Sequence, residues 1–416
     1  MVTGIGAKDG VQAPGISLPD DWNSCSLGAE VNLLTGFPFP SSGYTGSGVR
    51  LVRGSNVKRG EMDWSADITE YWPAITSDIA RFSLEAGDLV VAMDGALVGR
   101  SYAIVTERDL PSLLLQRVAR IRSRTVAQSL LPHFIGSAGF VRYVDSVKTH
   151  TAIPHISPAD IRRFPIAYPR DPAEQHAIAG ALEDVGASIE ILDRLIAKKR
   201  AMKLGAMQQL LTGETRLSGF TSDWRPTPFE EVALPRRTRV NPARLEEPMF
   251  CVELEQIESG TGRLLGASET TQESSLKSVF EPGDVLFGKL RSYLRKFWFA
   301  DRAGVCSTEI WVLVAQTARA TPEYLRHLVS TDSFLDAASM AYGTHMPRSD
   351  WNVVRRYEVE LPPREEQAAI AAILSDMDAE IAALMAKRDK MRAIKQGMMQ
   401  SLLTGHLRLK KEKASA

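Results

Sequence analysis

Two stretches of the chain place an apolar residue at alternating steps of four and three. In the first these are Ile178, Leu182, Val185, Ile189, Leu192 and Ile196; in the second, Ile370, Leu374, Met377, Ile381 and Leu384. Such spacing lines one narrow face of a helix and predicts heptad pairing rather than a strand. Gly180, Gly186 and Gly205 each cost about 1 kcal/mol against Ala, and the surrounding Ala, Leu, Glu and Lys favour helix. A helix from Ala173 to Leu211 would be a rod of roughly 58 Å, at ~1.5 Å per residue. Gly213 and Gly405 are the expected C-terminal caps. An apolar stripe needs a partner, and the other stripe of the same chain is favoured because a domain-sized segment between them lets the chain return. Antiparallel rods would set two domains at opposite ends about a pseudo-twofold axis; the alternative is two helices packed separately on their own domains. Elsewhere, "LEAGDLVVAMDG" (Leu84–Gly95) and "FEPGDVLFGKLR" (Phe280–Arg291) each put a Gly-Asp turn before a short β-branched run, which predicts strands.

The two helical stretches are copies. Glu174-Gln175 matches Glu366-Gln367, and at a constant offset of 192 the register continues without a gap through Lys203/Lys395 to Arg216-Leu217/Arg408-Leu409. "MQQLLTGETRL" and "MQSLLTGHLRL" close the two copies, and about half of the positions from Glu174 to Leu217 are identical to their counterparts. That period is far longer than a solenoid's. Before each copy, "LPDDWNSCSLGAEV" (Leu18–Val31) is echoed by "FTSDWRPTPFEEV" (Phe220–Val232), and Pro-marked junctions, "FPIAYPRDPAEQ" and "VELPPREEQ", lead into the repeat. The expected fold class is α+β. Its expected order is an N-terminal tail over 1–17, a variable domain over 18–170, a long helix over 171–217, a second variable domain over 218–362, a second long helix over 363–409 and a C-terminal tail over 410–416.

Composition narrows the class. Fifty Lys+Arg balance fifty Asp+Glu, and 44% of residues are hydrophobic, so no global charge draws the chain to nucleic acid or membrane and any such contact must be local. Cys25, Cys251 and Cys306 are far apart and never form a Cys-x-x-Cys pair, which argues against a disulfide framework or zinc ribbon and fits a reducing cytoplasm. Neither a secretory leader nor a membrane-length apolar run is expected.

Catalytic motifs are missing. "VNPAR" and "RDPAE" lack the second Pro and the aromatic residue of an amino-methyltransferase motif, and "GIGAKDG" and "GSGVR" are ordinary turn glycines rather than a dinucleotide cradle. There is no phosphate-binding lysine loop, no His-Glu-x-x-His and no zinc-ligand spacing. His150 and His345, each after a Thr and before a Pro-containing turn, read as loop-structuring residues.

The paired segments from Ala173 to Leu217 and from Glu365 to Leu409, with "LPDDW", "GDLVVAMDGALVGR", "LLQRVARIR" and "GDVLFGKLRSYLRKFW" in their places, resemble a type I restriction–modification specificity subunit over nearly the whole length from Leu18 to Leu409. The resemblance implies a non-catalytic protein in which each variable region is a target-recognition domain reading half of a bipartite, asymmetric site in double-stranded DNA. It implies that the helices pair as an antiparallel coiled coil, space the domains and dock two methyltransferase subunits, with restriction (translocase) subunits joining. S-adenosylmethionine is expected on the methyltransferase, and no cofactor or metal in this chain.

Within that frame, local basic clusters become candidate DNA contacts. "RVARIRSR" puts Arg120, Arg122 and Arg124 on one side of a strand by period two. Arg236, Arg237, Arg239 and Arg244 cluster in "PRRTRVNPAR", and Lys289, Arg291, Arg295 and Lys296 in "GKLRSYLRK"; such groups suit phosphates. Arg50, Arg53, Asn56, Lys58, Arg291, Tyr293 and Arg295 are candidates for base edges. The Trp and Phe of "RKFWFA" read as core. Lys198, Lys199, Arg200 and Lys203 fall on the rod, where a solvated or partner-facing role is expected. Two other readings stay open: a reader serving another methyltransferase-linked defence system, and a coiled-coil adaptor that binds proteins only.

Overall fold

A computed structural model describes residues 18–271, 275–340 and 347–409. Both expected tails and His345 lie outside the described residues. The chain divides into two compact units, one made of the residues up to Ile191 together with those from Lys387, the other of Leu192–Ala386. Each unit therefore combines one variable domain with a piece of both long helices, Pro172–Leu211 and Arg364–Leu402.

In the first unit the central sheet runs in the order Val31–Thr35, Val118–Ser123, Leu89–Ala92, Tyr102–Ile104, Arg59–Gly60. The run after Gly87-Asp88 is its middle strand, and it is apolar throughout because both faces are covered. Leu89 and Val91 enter a core with Leu27, Phe140, Ile178 and Leu182. Val90 and Ala92 enter another with Leu51, Phe82 and Leu114, roofed by the sheet of Glu70–Trp72, Val49–Val52 and Ser112–Leu114. The second unit repeats the plan. Val285–Gly288 lies between Ile310–Ala315 and Phe297–Phe299, with Ala233–Pro235 beyond. Val285 and Phe287 join Phe229, Tyr324, Ile370 and Leu374, while Leu286 faces Val252, Phe280 and Trp298.

Each domain closes on itself. Trp22–Ser26 pairs antiparallel with Pro165–Pro169, and Arg225–Pro228 with Glu358–Leu361, so the chain enters and leaves at one place and passes directly into a long helix. Pro172 opens the first helix, where its missing N–H costs nothing, and Asp171 accepts from the Ala173 N–H at 2.9 Å. At the far ends the Thr212 and Thr404 hydroxyls donate to the carbonyls of Gln208 and Gln400. Gly213 and Gly405 then take the left-handed turn, at φ +74° and +77°, as the sequence predicts.

The remaining letters of the repeat are spent on a clasp. Glu366, fully buried at the start of the second helix, receives Arg216 from the tail of the first repeat through two bonds of 2.7 Å. The Trp224 indole donates to the same carboxylate at 3.1 Å, and the Arg216 guanidinium lies 5.5 Å over its ring. In the first unit Arg408 grips buried Glu174 at 2.6 and 2.7 Å and Asp21 at 2.9 and 2.8 Å, 5.6 Å over the Trp22 ring. The neighbouring glutamines fix helix to domain. Gln175 accepts from the Ala127 N–H and donates to the Pro169 carbonyl, and Gln367 accepts from the Thr321 N–H and donates to the carbonyls of Pro362 and Arg319.

Within each unit the helix segments run antiparallel. In the second unit Lys203 meets Asp378 at 2.5 Å and Lys199 meets Glu380 at 2.7 Å. In the first, Ile178 and Leu182 share a core with Leu402 and Leu403, and a Cβ added to Gly186 would lie 2.8 Å from the Lys395 Nζ. Of the residues expected to pair the helices, Ile178, Leu182, Leu192, Ile370, Leu374 and Ile381 are buried, and Val185, Ile189, Met377 and Leu384 half-buried. Gly186 stands where the other copy has Asp378, so Lys395 lacks the carboxylate that Lys203 has, and burial pulls the Lys395 pKa down.

Two predictions follow from these contacts. Arg216→Ala strips the buried Glu366 carboxylate of its cation and is expected to lower the midpoint of chemical denaturation; an unchanged midpoint would remove the clasp from the stability of the fold. Burial, aided by Lys395, holds His133 down at about 4, and burial with Arg326 and Lys203 holds His327 at about 3. An unfolded histidine titrates near 6.5, so below that pH the unfolded chain binds more protons than the folded one. Stability is full above pH ~6.5 and falls toward pH 4 by about 1.4 kcal/mol per pH unit for each histidine; His327→Gln is expected to flatten that slope in melts across pH 4–7.

Candidate nucleic-acid interface

The structure separates the basic residues into those held by the fold and those left to solvent. Arg120 and Arg122 do share one face of the strand Val118–Ser123, but that face meets the domain's second core. Arg120 is buried there beside Val90 and Leu34, reaching only the Ser83 carbonyl at 3.5 Å, and burial pulls its pKa down. Arg122 is bound to buried Asp88 and to Glu85. Arg236 is bound to Asp284 and Glu281 in the same way. Asp88 and Asp284 also accept from the N–H groups of Glu85 and Glu281, so the Gly-Asp turn carries a buried carboxylate in each domain, neutralised by an arginine from a distant part of the chain. These arginines serve the fold, which corrects the expectation that they face phosphates.

Asn56 is corrected likewise. It is fully buried, accepting from the Arg53 N–H and donating to the carbonyls of Asp63 and Ile68, and so structures its loop. Arg50 donates to the Arg108 carbonyl and lies 5.1 Å over Trp64. Arg53 bridges to Glu70 and Lys58 to Asp63, both exposed enough to exchange those partners for another anion. Lys296 donates to the Leu254 carbonyl, and Lys289 is half-buried. Phe297 and Trp298 are buried, as expected. Arg124, Arg237, Arg239, Arg291, Tyr293 and Arg295 are exposed, and Arg295 bridges to Asp332 at 2.6 Å. Lys199 and Lys203 pair across the helices rather than facing a partner.

Three arginines have an unusual backbone. Among the described residues the non-glycine positions at positive φ are Arg117 (+74°), Arg291 (+53°) and Arg295 (+52°), and all three are exposed. Arg291 and Arg295 lie three and seven residues beyond the strand Val285–Gly288. In the first domain the positions three and seven beyond Leu89–Ala92 are Gly95 (+98°) and Gly99 (+83°). The two loops are tied alike: the Gly95 N–H donates to the Pro154 carbonyl and that of Arg291 to Pro347. Arg117 immediately precedes Val118, which pairs with Ala92, and its carbonyl accepts from the Met93 N–H. The three arginines thus lie at the same end of the equivalent central strands. The basic clusters offer Arg291 and Arg295 as base-edge candidates but not Arg117, and they mark the backbone of none of the three, because handedness is set by the turn.

Among the described residues no three His, Cys, Asp or Glu side chains form a metal site, and no helix is long and apolar enough to cross a membrane. The three cysteines are free. Burial and Glu30 push the Cys25 thiol up to about 12, and burial with Glu253 pushes Cys251 to about 11, which disfavours the reactive thiolate.

Two domains of one plan, each closed on itself and continued by a long helix, define the fold class, that of a type I restriction–modification S subunit. The crystal structure of such a subunit from M. genitalium superposes with a TM-score of 0.59 at 13% identity, covering 94% of this chain and 97% of the other. In sequence, residues 258–391 match the family model described as Type I restriction modification DNA specificity domain. The chain is 35% identical over 144 residues to the specificity subunit of the type I restriction enzyme EcoAI of Escherichia coli, covering 34% of this chain and 24% of that protein. It is 26% identical over 205 residues to the MjaVIII specificity subunit of Methanocaldococcus jannaschii, covering 48% of each. The chain thus spans about half or less of the length of these curated relatives. The resemblance read from the repeated segments is borne out.

The division between held and free arginines is testable without DNA. Arg122→Ala leaves Asp88 buried without its cation and is expected to cost about 3 kcal/mol, whereas Arg124→Ala should stay within about 0.5 kcal/mol. Urea denaturation of the two variants checks this, and equal costs would mean that Arg122 is not held by the fold.

Proposed function

We propose that this chain is the sequence-reading subunit of a type I restriction–modification complex. The observation that carries the reading is the doubled plan: two domains with the same central strands, turns and clasped helix start, but different loops at the same end. Equal frames with unequal loops suit the reading of two different half-sites, and the exposed Arg124, Arg237 and Arg239 supply cations for phosphates.

The helices offer a matching pair of docking faces. Met202 and Ile394 occupy equivalent places in the repeat and are 49% and 41% exposed, apolar positions that the chain itself does not cover. Each suits contact with one methyltransferase subunit, which would bind S-adenosylmethionine and perform the transfer, with restriction subunits joining that assembly. This chain contributes selection rather than chemistry, and works in the cytoplasm, where its three thiols stay unpaired.

The decisive experiment is single-molecule methylome sequencing of cells with and without the gene. The expected result is loss of methylation at one bipartite motif. Replacing residues 18–170 by the matching region of a relative is expected to change one half of that motif and leave the other intact. An unchanged methylome in the deletion strain would overturn the reading.

A further inference from the structure

We propose that Arg117 in the first domain and Arg291 in the second are specificity-determining residues, each reading a guanine in its own half-site; the inference rests on the DNA-reading function proposed above. A left-handed conformation disfavours any residue with a Cβ, and glycine occupies it without that penalty. The first domain shows that glycine serves the same turn, since Gly95 stands in the place of Arg291 with the same tie to a neighbouring carbonyl. An arginine there strains the turn and adds nothing to its closure.

Neither side chain repays that strain within the fold. Both are exposed, and among the described residues no ion pair or hydrogen bond engages either guanidinium. That sets them apart from Arg122 and Arg236, which neutralise buried carboxylates, and from Arg295, which Asp332 holds. Strain that persists without an internal partner points to use at a surface. Arginine's rigid fork matches the O6 and N7 acceptors of guanine in the major groove, the commonest specific contact that proteins make there. A left-handed turn also fixes the direction in which the side chain leaves the loop, which a base contact needs and a phosphate contact does not.

The two domains fill the same end differently. In the second domain the loop presents Arg291 and Tyr293. In the first, the position of Tyr293 is held by Leu97, 61% exposed, between two glycines, so that loop offers no hydrogen-bonding side chain at its tip. There the strained arginine comes instead from the neighbouring turn at Arg117. The halves of the site are therefore read from non-equivalent loops, and each should contain its guanine at a different distance from the spacer.

The test uses Arg117→Gly and Arg291→Gly in the complex with the methyltransferase, read by methylome sequencing and thermal melting. Glycine relieves the turn, so each variant should melt at or above the wild-type temperature. Each should relax one guanine position, in different halves of the motif, by roughly 5- to 150-fold in discrimination. Arg117→Lys and Arg291→Lys keep charge and backbone but lose the fork, and should relax the same positions. An unchanged motif in the glycine variants would overturn the inference while leaving the proposed function intact. So would a uniform loss of affinity with a salt slope lower by about 0.9, the mark of a phosphate contact. A wild-type complex that methylates no bipartite motif would overturn both.

Discussion

A carboxylate buried at the first turn of a helix must find a cation, and in this chain the cation comes from the other copy of the repeat. Glu366 depends on Arg216 and Glu174 on Arg408. A carboxylate at a helix N-terminus is favoured by the exposed N–H groups there, but removing it from water is costly unless its lone pairs are occupied. Arginine's paired donors and the tryptophan beneath them meet that demand, and the adjacent glutamine binds the domain to the same turn. The helix end, the strand leaving the domain and the tail of the opposite repeat are thereby fixed at one point, and the central sheet packs against what that point holds in place.

Much of this frame is legible in one dimension because it is local or periodic. The heptad stripe places Ile178, Leu182, Ile370 and Leu374 in the cores where they are found. The Gly-Asp turn announces a buried strand, and Thr-Gly announces the helix end. The Asp-Trp echo at Trp22 and Trp224 is equally visible, yet its role is not. The arginine that lies over each ring is far away in sequence for Trp22 and belongs to another repeated word in both cases.

The basic residues mark the boundary of what pattern can decide. Period two correctly puts Arg120 and Arg122 on one face, but whether that face meets water depends on Asp88 and Glu85, which arrive from the turn before the neighbouring strand. Asn56 has the chemistry of a base reader and is consumed by its own loop. Conversely, Arg117 looks like one member of a basic run, and only its backbone dihedral distinguishes it. Composition can show that a residue is able to bind an anion; the fold decides whether the side chain is still available.

The clasps also set an order of events. Arg216 and Glu366 are 150 residues apart, and Glu174 and Arg408 are separated by 234. The second unit contains only residues between Leu192 and Ala386, so everything it needs has been synthesised while the first unit still lacks Leu402, Leu403 and Arg408. At ~5–20 residues per second, Glu174 waits roughly 12 to 47 s on the ribosome for its cation, with Ile178 and Leu182 short of their full cover. The domain made first is thus completed last, and the nascent chain passes through a stage in which its leading half is the more exposed to proteases and chaperones.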